Sequence, residues 1–451
     1  MISKKPKILF FSRDYQSNFF PELVSEKYDS IHVTLNIKEK TNIEKKGGIV
    51  VGCYEENFKS LNEANISFPY LVHSVGSDRA IKGHSLEERL SILRKTVSFW
   101  SGIYEKHKPN YIVNEVVALE ISEVMYIEAK KRGIKYLAFG AFSVKKLFYW
   151  HENPFHSSMS KKIENMIPSE QDYQDASDYI NKINTGAIDN PFIKEYNLGK
   201  DIRRLEIILK GILYGFYMNL LKNKIISQVC YQTSVNDSIS ELGYYLNYIF
   251  KNRFYDKMID LNENNQYVFY PMHFEPEATM FYMSTYYDNQ FSVVENILKC
   301  LKENDLLLVK EHPAQAGVLM QRKWIKLKNR FPNLKLIKAE VSSKEIILKS
   351  KTVITLVSTA GFEAAILGKN VIVLGKIYFD SFDGVNYCST YEQVYDLLRE
   401  NKPYANSFRL KEQLAKLIAM QYPGNPWPHK ELYSTKNISD IINAIEKEAL
   451  L

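Results

Sequence analysis

The chain has 451 residues, of which 45% are hydrophobic and 25% charged. That is an ordinary globular balance, too long for one core and suited to two or three domains. Lys and Arg number 59 against 52 Asp and Glu, a net charge of +7; so mild an excess permits an anionic ligand or an acidic membrane surface but lacks the concentrated basic face of a nucleic-acid-binding protein.

The opening MISKKPKILFFSRD runs from a basic start straight into a short apolar run, too short for a signal-peptide core. No stretch approaches the roughly 20 apolar residues that span a bilayer. Cys53, Cys230, Cys300 and Cys388 show no C-x-x-C spacing and read as reduced, mostly buried thiols. The expectation is a cytoplasmic protein. Strands are predicted at Lys7 to Ser12, Ile31 to Leu35 and Gly48 to Gly52, with a helix over Leu86 to Lys106. The strand NYIVNEV, the helical ALEISEVMYIEAKKRG stopped by Gly133, and the strand KYLAFG form a βαβ unit, which favours a parallel sheet. The loop HSVGSDRAIKGHS offers His73, Asp78 and His84 as contacts for a second substrate, against the plainer reading of a solvated loop.

From Asn153 to Gly199 the chain is polar and reads as loop and short helix. From Asp201 to about Asp260 it is helical, and IRRLEIILKGILYGFYMNLLKNK carries five basic residues and one acidic residue between Arg203 and Lys224. Two readings stand: a buried helix packed on a sheet, or an amphipathic helix on the inner membrane surface.

The second half predicts strands at Tyr267 to Pro271, Leu306 to Lys310, Leu334 to Ile337, Val353 to Val357 and Val371 to Gly375. Helices are predicted between them at Asp288 to Leu301, Val318 to Arg330, Ser342 to Lys349 and Ala360 to Leu367. Continuous β-branched and leucine runs are what a sheet covered on both faces requires, so this half is a doubly wound α/β domain. YPGNPWPHK, with Pro423, Pro426 and Pro428, excludes helix and sheet interior. A last helix follows, capped by Thr435 or Asn437, with Ile438, Ile441, Ile442 and Ile445 on one face.

Ligands of open parallel sheets bind at the carboxyl ends of the strands, and several polar stretches fall there. VSTAGFEA places Ser358 and Thr359 at a helix start, where they either cap free N–H groups or help them hold phosphate. Glu363, read as part of the first turn, favours the helix dipole or accepts the hydroxyls of a ribose. In LLLVKEHP, strand alternation sends Lys310 and His312 to one side and Glu311 to the other. A cation and an imidazole together suit phosphate oxygens; the plainer reading is a loop histidine beside a solvated lysine. PMHFEPEATM adds His273, Glu275 and Glu277, which shape the ligand pocket or cap a helix rather than bind metal, since Pro276 interrupts their spacing.

YPMHFEPEAT, NQFSVVENI, LLLVKEHP and VSTAGFEAAILGKNVIVLGKIYF, in this order and spacing, resemble the capsule polysaccharide biosynthesis family, which includes bacterial Kdo transferases and related surface-carbohydrate glycosyltransferases. The resemblance implies the GT-B fold: two Rossmann-like doubly wound domains facing across a cleft, with a C-terminal helix crossing back. The expected organisation is an N-terminal acceptor domain over 1–200, a helical basic-aromatic segment over 201–260, a nucleotide-sugar domain over 261–422, and a Pro-rich crossover with a terminal helix over 423–451. By the same resemblance His312, Ser358 and Thr359 contact donor phosphate and Glu363 binds ribose; His273 and Glu277 join the pocket from their place after the first strand of this half. No metal and no cofactor are implied beyond the nucleotide-sugar, and Lys310 joins the set from strand geometry. The catalytic carboxylate should come from the N-terminal half, with Glu115 after YIVN first and Asp14 second; a helix-terminal role for Glu115 stands beside this. The implied activity is transfer of a sugar, such as a CMP-linked acidic sugar like Kdo, to a capsular or glycolipid acceptor, with peripheral contact at the inner membrane. Two other readings remain: a nucleotide-sugar 2-epimerase of the same fold, and a non-catalytic subunit of a polysaccharide assembly complex.

Overall fold

The structure is a computed structural model. It describes all residues except 1–4, 67–74, 77, 143, 145–146, 156–158, 186–201, 258–265, 276, 401–405 and 450–451; His73 and Pro276 thus lie outside the described residues. The chain divides into two compact units, the first formed by Met1–Pro154, Leu213–Val235 and Gln421–Leu451, the second by Phe155–Ile212 and Asn236–Met420.

The first unit holds a six-stranded sheet in the order β3-β2-β1-β4-β5-β6. Its strands are β1 (Lys7–Phe11), β2 (Asp29–Thr34), β3 (Val50–Cys53), β4 (Tyr111–Asn114), β5 (Lys135–Ala141) and β6 (Phe148–His151). β1 to β5 run parallel, and β6 closes the edge antiparallel to β5. Ile8, Leu9, Phe10 and Phe11 are successive and all fully buried, as a strand covered on both faces requires. β6, absent from the sequence reading, is an aromatic run whose Phe148 bridges to Tyr422 on its open side.

The helices here are α1 (Gln16–Phe19), α2 (Ile37–Lys45), α3 (Tyr54–Asn57), α4 (Leu86–His107) and α5 (Glu120–Lys131). Capping boxes start two of them, Asn36 with Glu39 at α2 and Ser85 with Glu88 at α4. Asp78 and His84 do not sit in a solvated loop: both are buried. The Asp78 carboxylate accepts from the backbone N–H groups of Ala80 and Glu120 at 2.6 and 2.7 Å, and His84 Nε2 lies 2.6 Å from Gln228 Oε1. These groups serve the fold, because burial obliges each to find an internal partner.

Five helices follow: α6 (Ser160–Glu164), α7 (Glu170–Thr185), α8 (Ile202–Leu221), α9 (Lys224–Tyr231) and α10 (Val235–Phe250). Among the described residues no helix is long and apolar enough to cross a membrane. α8 is not the buried helix of the first reading, for Leu213 is 69% exposed and Leu220 87%.

The second unit's sheet is all parallel, in the order β12-β11-β10-β7-β8-β9. In chain order it runs β7 (Gln266–Pro271), α11 (Ala278–Met283), α12 (Gln290–Cys300), β8 (Asp305–Lys310), α13 (Arg322–Arg330), β9 (Leu334–Ile337), α14 (Ser343–Lys349), β10 (Thr352–Thr355), α15 (Thr359–Ile366), β11 (Asn370–Val373), β12 (Val385–Tyr387), α16 (Tyr391–Arg399) and α17 (Ser407–Ala419). Counted within each unit, both sheets have the 3-2-1-4-5-6 strand order of the Rossmann fold. The polar tract after Asn153 forms more than a short helix: α7 has 16 residues, buries Ala176, Tyr179 and Ile183 at helical spacing, and packs on α17. The helix expected from Val318 begins instead as a 3-10 turn over Val318–Met320, and α13 starts only at Arg322, because Gln321 between them is extended, with φ −65° and ψ 150°.

Finally the chain returns to the first unit as α18 (Thr435–Ala449), whose Ile441, Ala444 and Ile445 join the core of Ile8, Phe10, Phe19 and Leu23. Its cap is neither Thr435 nor Asn437: Ser434 Oγ accepts from Asn437 N–H, and the Asn437 amide bonds the carbonyls of Asn425 and Leu432. The α/β class, the two doubly wound sheets and the returning terminal helix agree with the sequence reading.

Candidate functional site

In each sheet the strand order reverses between the unit's first strand and its fourth, and a doubly wound sheet opens a crevice there at the strands' carboxyl ends. In the second unit that point lies between β7 and β10. His273, two residues past β7, spans it: its Nε2 accepts from Val357 N–H at 3.3 Å, beyond β10, and lies 3.4 Å from Thr355 Oγ1. An accepting Nε2 assigns the proton to Nδ1, which sits 3.9 Å from Glu277 Oε2. Gln290 fixes the backbone here, accepting from His273 N–H at 2.7 Å and donating to His273 O at 3.1 Å.

β8 ends beside this histidine. Lys310 is 4% exposed, and its Nζ donates to Glu311 O at 3.2 Å. Among the described residues no carboxylate pairs with it at salt-bridge distance. Burial pushes its ammonium down to about 8, against a weaker opposing pull from Glu311. A cation so placed can pair with an anion from outside the chain. His312 Nδ1 accepts from Ala314 N–H at 3.1 Å, which leaves the ring proton on Nε2. Burial lowers His312 to about 4, with Glu277 opposing and His273 and Lys310 assisting. The ring is therefore a neutral N–H donor at physiological pH.

Glu311 has a different task. It is 1% exposed, and one carboxylate oxygen accepts from Gly317 N–H at 3.0 Å, Leu319 N–H at 2.9 Å and the Tyr255 hydroxyl at 2.8 Å. Burial pushes this carboxyl up to about 7. It ties down the Pro313–Met320 turn that follows His312. Arg204 holds the same turn from α8, donating to Ala316 O at 3.1 Å and to Glu241 at 3.3 Å. Gln315 exchanges hydrogen bonds with the backbone of Glu275.

Ser358 caps α15, its Oγ accepting from Ala360 N–H at 3.1 Å. The helix starts at Thr359, one residue earlier than expected, so Glu363 stands in the second turn and not the first. Thr359 is exposed, and Ser358, Glu277 and Glu363 are half-buried. Among the described residues no three His, Cys, Asp or Glu side chains gather closely enough to hold a metal ion. The unit thus brings His273, Glu277, Lys310, His312, Ser358 and Thr359 to the carboxyl edge of adjoining strands.

Anion binding here carries a pH signature. The bound anion favours the charged ammonium, so affinity is full below the free-state value and lost above it. Affinity for CMP is expected to be nearly flat from about pH 7 to about 7.5 and to fall by up to about tenfold per pH unit above about 8. Calorimetric titrations across this range check it.

In the first unit the reversal lies between β1 and β4. Glu115, just past β4, accepts from Gln16 Nε2, with Tyr15 and Trp427 as further side-chain partners, and burial raises its carboxyl. Arg13 lies over the Phe11 ring and donates to Val116 O at 3.4 Å. Asp14, just past β1, is exposed and has a positive φ of +47°. Its N–H donates to Glu39 at 2.8 Å, while its carboxylate has no hydrogen-bond partner among the described residues. A cavity of about 360 Å³ opens at Asp14 and is walled in part by α8 and α9. Those helical residues, some 200 positions further along the chain, gave no sequence signal tying them to Asp14.

Residues 234–422 match the model of a protein family described as capsule polysaccharide biosynthesis protein. Over 119 residues the chain is 28% identical to Protein FixF of Sinorhizobium fredii (strain NBRC 101917 / NGR234), covering 26% of this chain and 28% of FixF. Among solved structures it is similar to Thermosulfurimonas dismutans KpsC, a beta Kdo 2,7 transferase, at 11% identity and a TM-score of 0.37, covering 92% of this chain and 99% of that one. It is also similar to UDP-GlcNAc 2-epimerase from Neisseria meningitidis, at 11% identity and a TM-score of 0.26, covering 91% of this chain and 98% of that one. The bounds of the family match take in the whole of the second unit's sheet, Gln266 to Tyr387. Over residues 234–422, less than half of its length, the chain is similar to the capsule polysaccharide biosynthesis protein family.

Proposed function

We propose that this chain is a nucleotide-sugar-dependent glycosyltransferase of capsule or surface-polysaccharide assembly. The observation that carries the reading is the Lys310 ammonium: buried, without a carboxylate partner among the described residues, and grouped with His312 and His273 at the reversal point of the second sheet. Lys310, the His312 Nε2–H donor and the α15 N-terminus with Ser358 and Thr359 take the donor's phosphate oxygens. Glu363 takes the ribose. As the bond from anomeric carbon to phosphate oxygen breaks, these donors meet the charge on the departing nucleotide, with no metal called on.

For an inverting transfer a carboxylate removes the acceptor hydroxyl's proton as that oxygen attacks the anomeric carbon. Asp14, whose carboxylate is unpartnered among the described residues, takes that role; Glu115, engaged by Gln16, Tyr15 and Trp427, braces the loop around it. The donor class is a CMP-linked acidic sugar such as Kdo, which the sequence resemblance supports. Exposed Leu213, Phe216 and Leu220, followed by Lys222 and Lys224, suit peripheral contact with the anionic inner leaflet, where a lipid-linked acceptor is presented.

The test is product analysis after incubation with CMP-, UDP- and GDP-sugars. Slow release of free nucleotide and unaltered sugar without acceptor, and sugar transfer with a lipid-linked glycan, are expected. His312→Ala should lower turnover by about 100-fold or more with the fold intact. A 2-epimeric sugar as the product, or turnover unchanged in His312→Ala, overturns the reading.

A further inference from the structure

We infer that the 360 Å³ cavity of the first unit is a sugar-binding subsite, built to take one hydroxyl-rich pyranose ring against Asp14, Asn18, Lys38, Tyr214 and Gln232. It rests on the reading above only in naming that sugar the acceptor; the binding itself stands on three observations.

First, the cavity concentrates backbone strain. Among the described residues three that are not glycine have a positive φ, and two of them, Asp14 at +47° and Gln232 at +53°, line this one cavity. Such a conformation costs roughly 1–3 kcal/mol per residue and persists where the surroundings hold a side chain for use. Asp14 is fixed by Glu39, which accepts from its N–H at 2.8 Å, and by the Ser17 hydroxyl donating to its carbonyl at 2.7 Å. Gln232 ends α9, whose Cys230 carbonyl accepts from the Asn36 amide at 3.0 Å.

Second, the cavity's polar side chains divide into spent and unspent. Asn36 and Glu39 are consumed by the α2 capping box, and the Tyr231 hydroxyl by Glu55. The Asp14 carboxylate, the Asn18 and Gln232 amides and the Lys38 ammonium bond no side chain or backbone group among the described residues, and Asp14, Lys38 and Gln232 are exposed. One carboxylate, two amides and one ammonium supply both donors and acceptors, the requirement of a ring bearing several hydroxyls, each of which donates and accepts.

Third, Tyr214 is 50% exposed on the wall formed by α8, so an aromatic ring borders these polar groups. An aromatic body with a polar tip covers the C–H face of a sugar while leaving its hydroxyls to the amides. The volume is that of one monosaccharide with a little water, too small for a nucleotide-sugar.

The experiment is saturation-transfer NMR on the full chain with a panel of methyl pyranosides: neutral hexosides, N-acetylhexosaminides and uronides. At least one member is expected to receive saturation, concentrated on its C–H face. Tyr214→Ala and Gln232→Gly should each reduce that signal several-fold. Gln232→Gly should also raise the melting temperature, because glycine adopts the positive φ freely. His312→Ala should leave the pyranoside signal unchanged, so that loss of donor turnover and loss of sugar binding are read separately. The inference is overturned if no pyranoside receives saturation from the intact chain, or if the signal survives both cavity substitutions.

Discussion

Replacing Lys310 by Met is expected to stabilise the second unit and to cut donor affinity. Burial holds the ammonium at about 8 against an ordinary 10.5, and a difference of that size corresponds to roughly 3 kcal/mol of destabilisation at neutral pH. The sign follows from linkage. Below about pH 8 the folded chain carries the full penalty of the buried charge. Between about 8 and about 10.5 the folded state sheds its proton first and the penalty fades. Met keeps most of the stem's apolar volume beside β9, where Ile337 is the register partner of Lys310, while removing the charge. The expected result at pH 7 is a melting transition higher by about 5–10 °C for the affected unit. Nucleotide-sugar affinity should be weaker by about 10- to 100-fold, the worth of hydrogen bonds to a charged group. Calorimetry and titration on the same preparation read both. A lower melting temperature would mean that the fold needs the ammonium.

Gly317→Ala carries the second large effect. At φ +100° an added Cβ would stand 1.9 Å from the Tyr244 carbonyl oxygen and 2.8 Å from its carbon. Backbone atoms of α10 cannot turn aside as a flexible side chain can. Arg204, bonded to Ala316 O and Glu241, anchors the adjoining backbone. Conformational strain and the clash together should cost about 3–5 kcal/mol, a fall of roughly 6–15 °C for a unit of this size. Gly47→Ala separates the two causes. Its φ is +78° but nothing lies within 4 Å of the added Cβ, so only the conformational penalty of about 1 kcal/mol is expected. Because Gly317 N–H is also one of the three donors to Glu311, Gly317→Ala should disturb the turn after His312 and reduce donor turnover beyond the loss of folded protein. Equal melting temperatures for the two variants would contradict the close packing at Gly317.

Much of the fold was legible because parallel strands covered on both faces are written as unbroken apolar runs. Leu306 to Lys310, Val353 and Val371 mark β8, β10 and β11 in this way, and the sheet's ligand edge follows from where those runs stop. What stayed hidden lacked either length or a local signal. β12 has three residues, and β6 is an aromatic edge whose second partner, Tyr422, lies far along the chain. α7 needs only three apolar residues to seat it on α17, too few to stand out in a tract rich in Asn, Asp and Ser. At the candidate site the sequence separated Lys310 and His312 from Glu311 by alternation. It could not say that Glu311 binds two backbone N–H groups and a hydroxyl, because those donors come from a turn and from Tyr255. The cavity at Asp14 was illegible for the same reason: Tyr214 and Gln232 reach it only through the fold.

The central claim is that Lys310 is a buried cation kept unpaired to receive a nucleotide's phosphate. Its most direct test is NMR titration of the Lys310 Cε resonance in chain carrying 13C-labelled lysine, assigned through Lys310→Met, with and without saturating CMP. The account predicts a midpoint near 8 in the free chain, well below the ordinary 10.5, and a rise of at least about one pH unit on nucleotide binding. An ordinary midpoint in the free chain, or a low one that the nucleotide leaves unmoved, would contradict it.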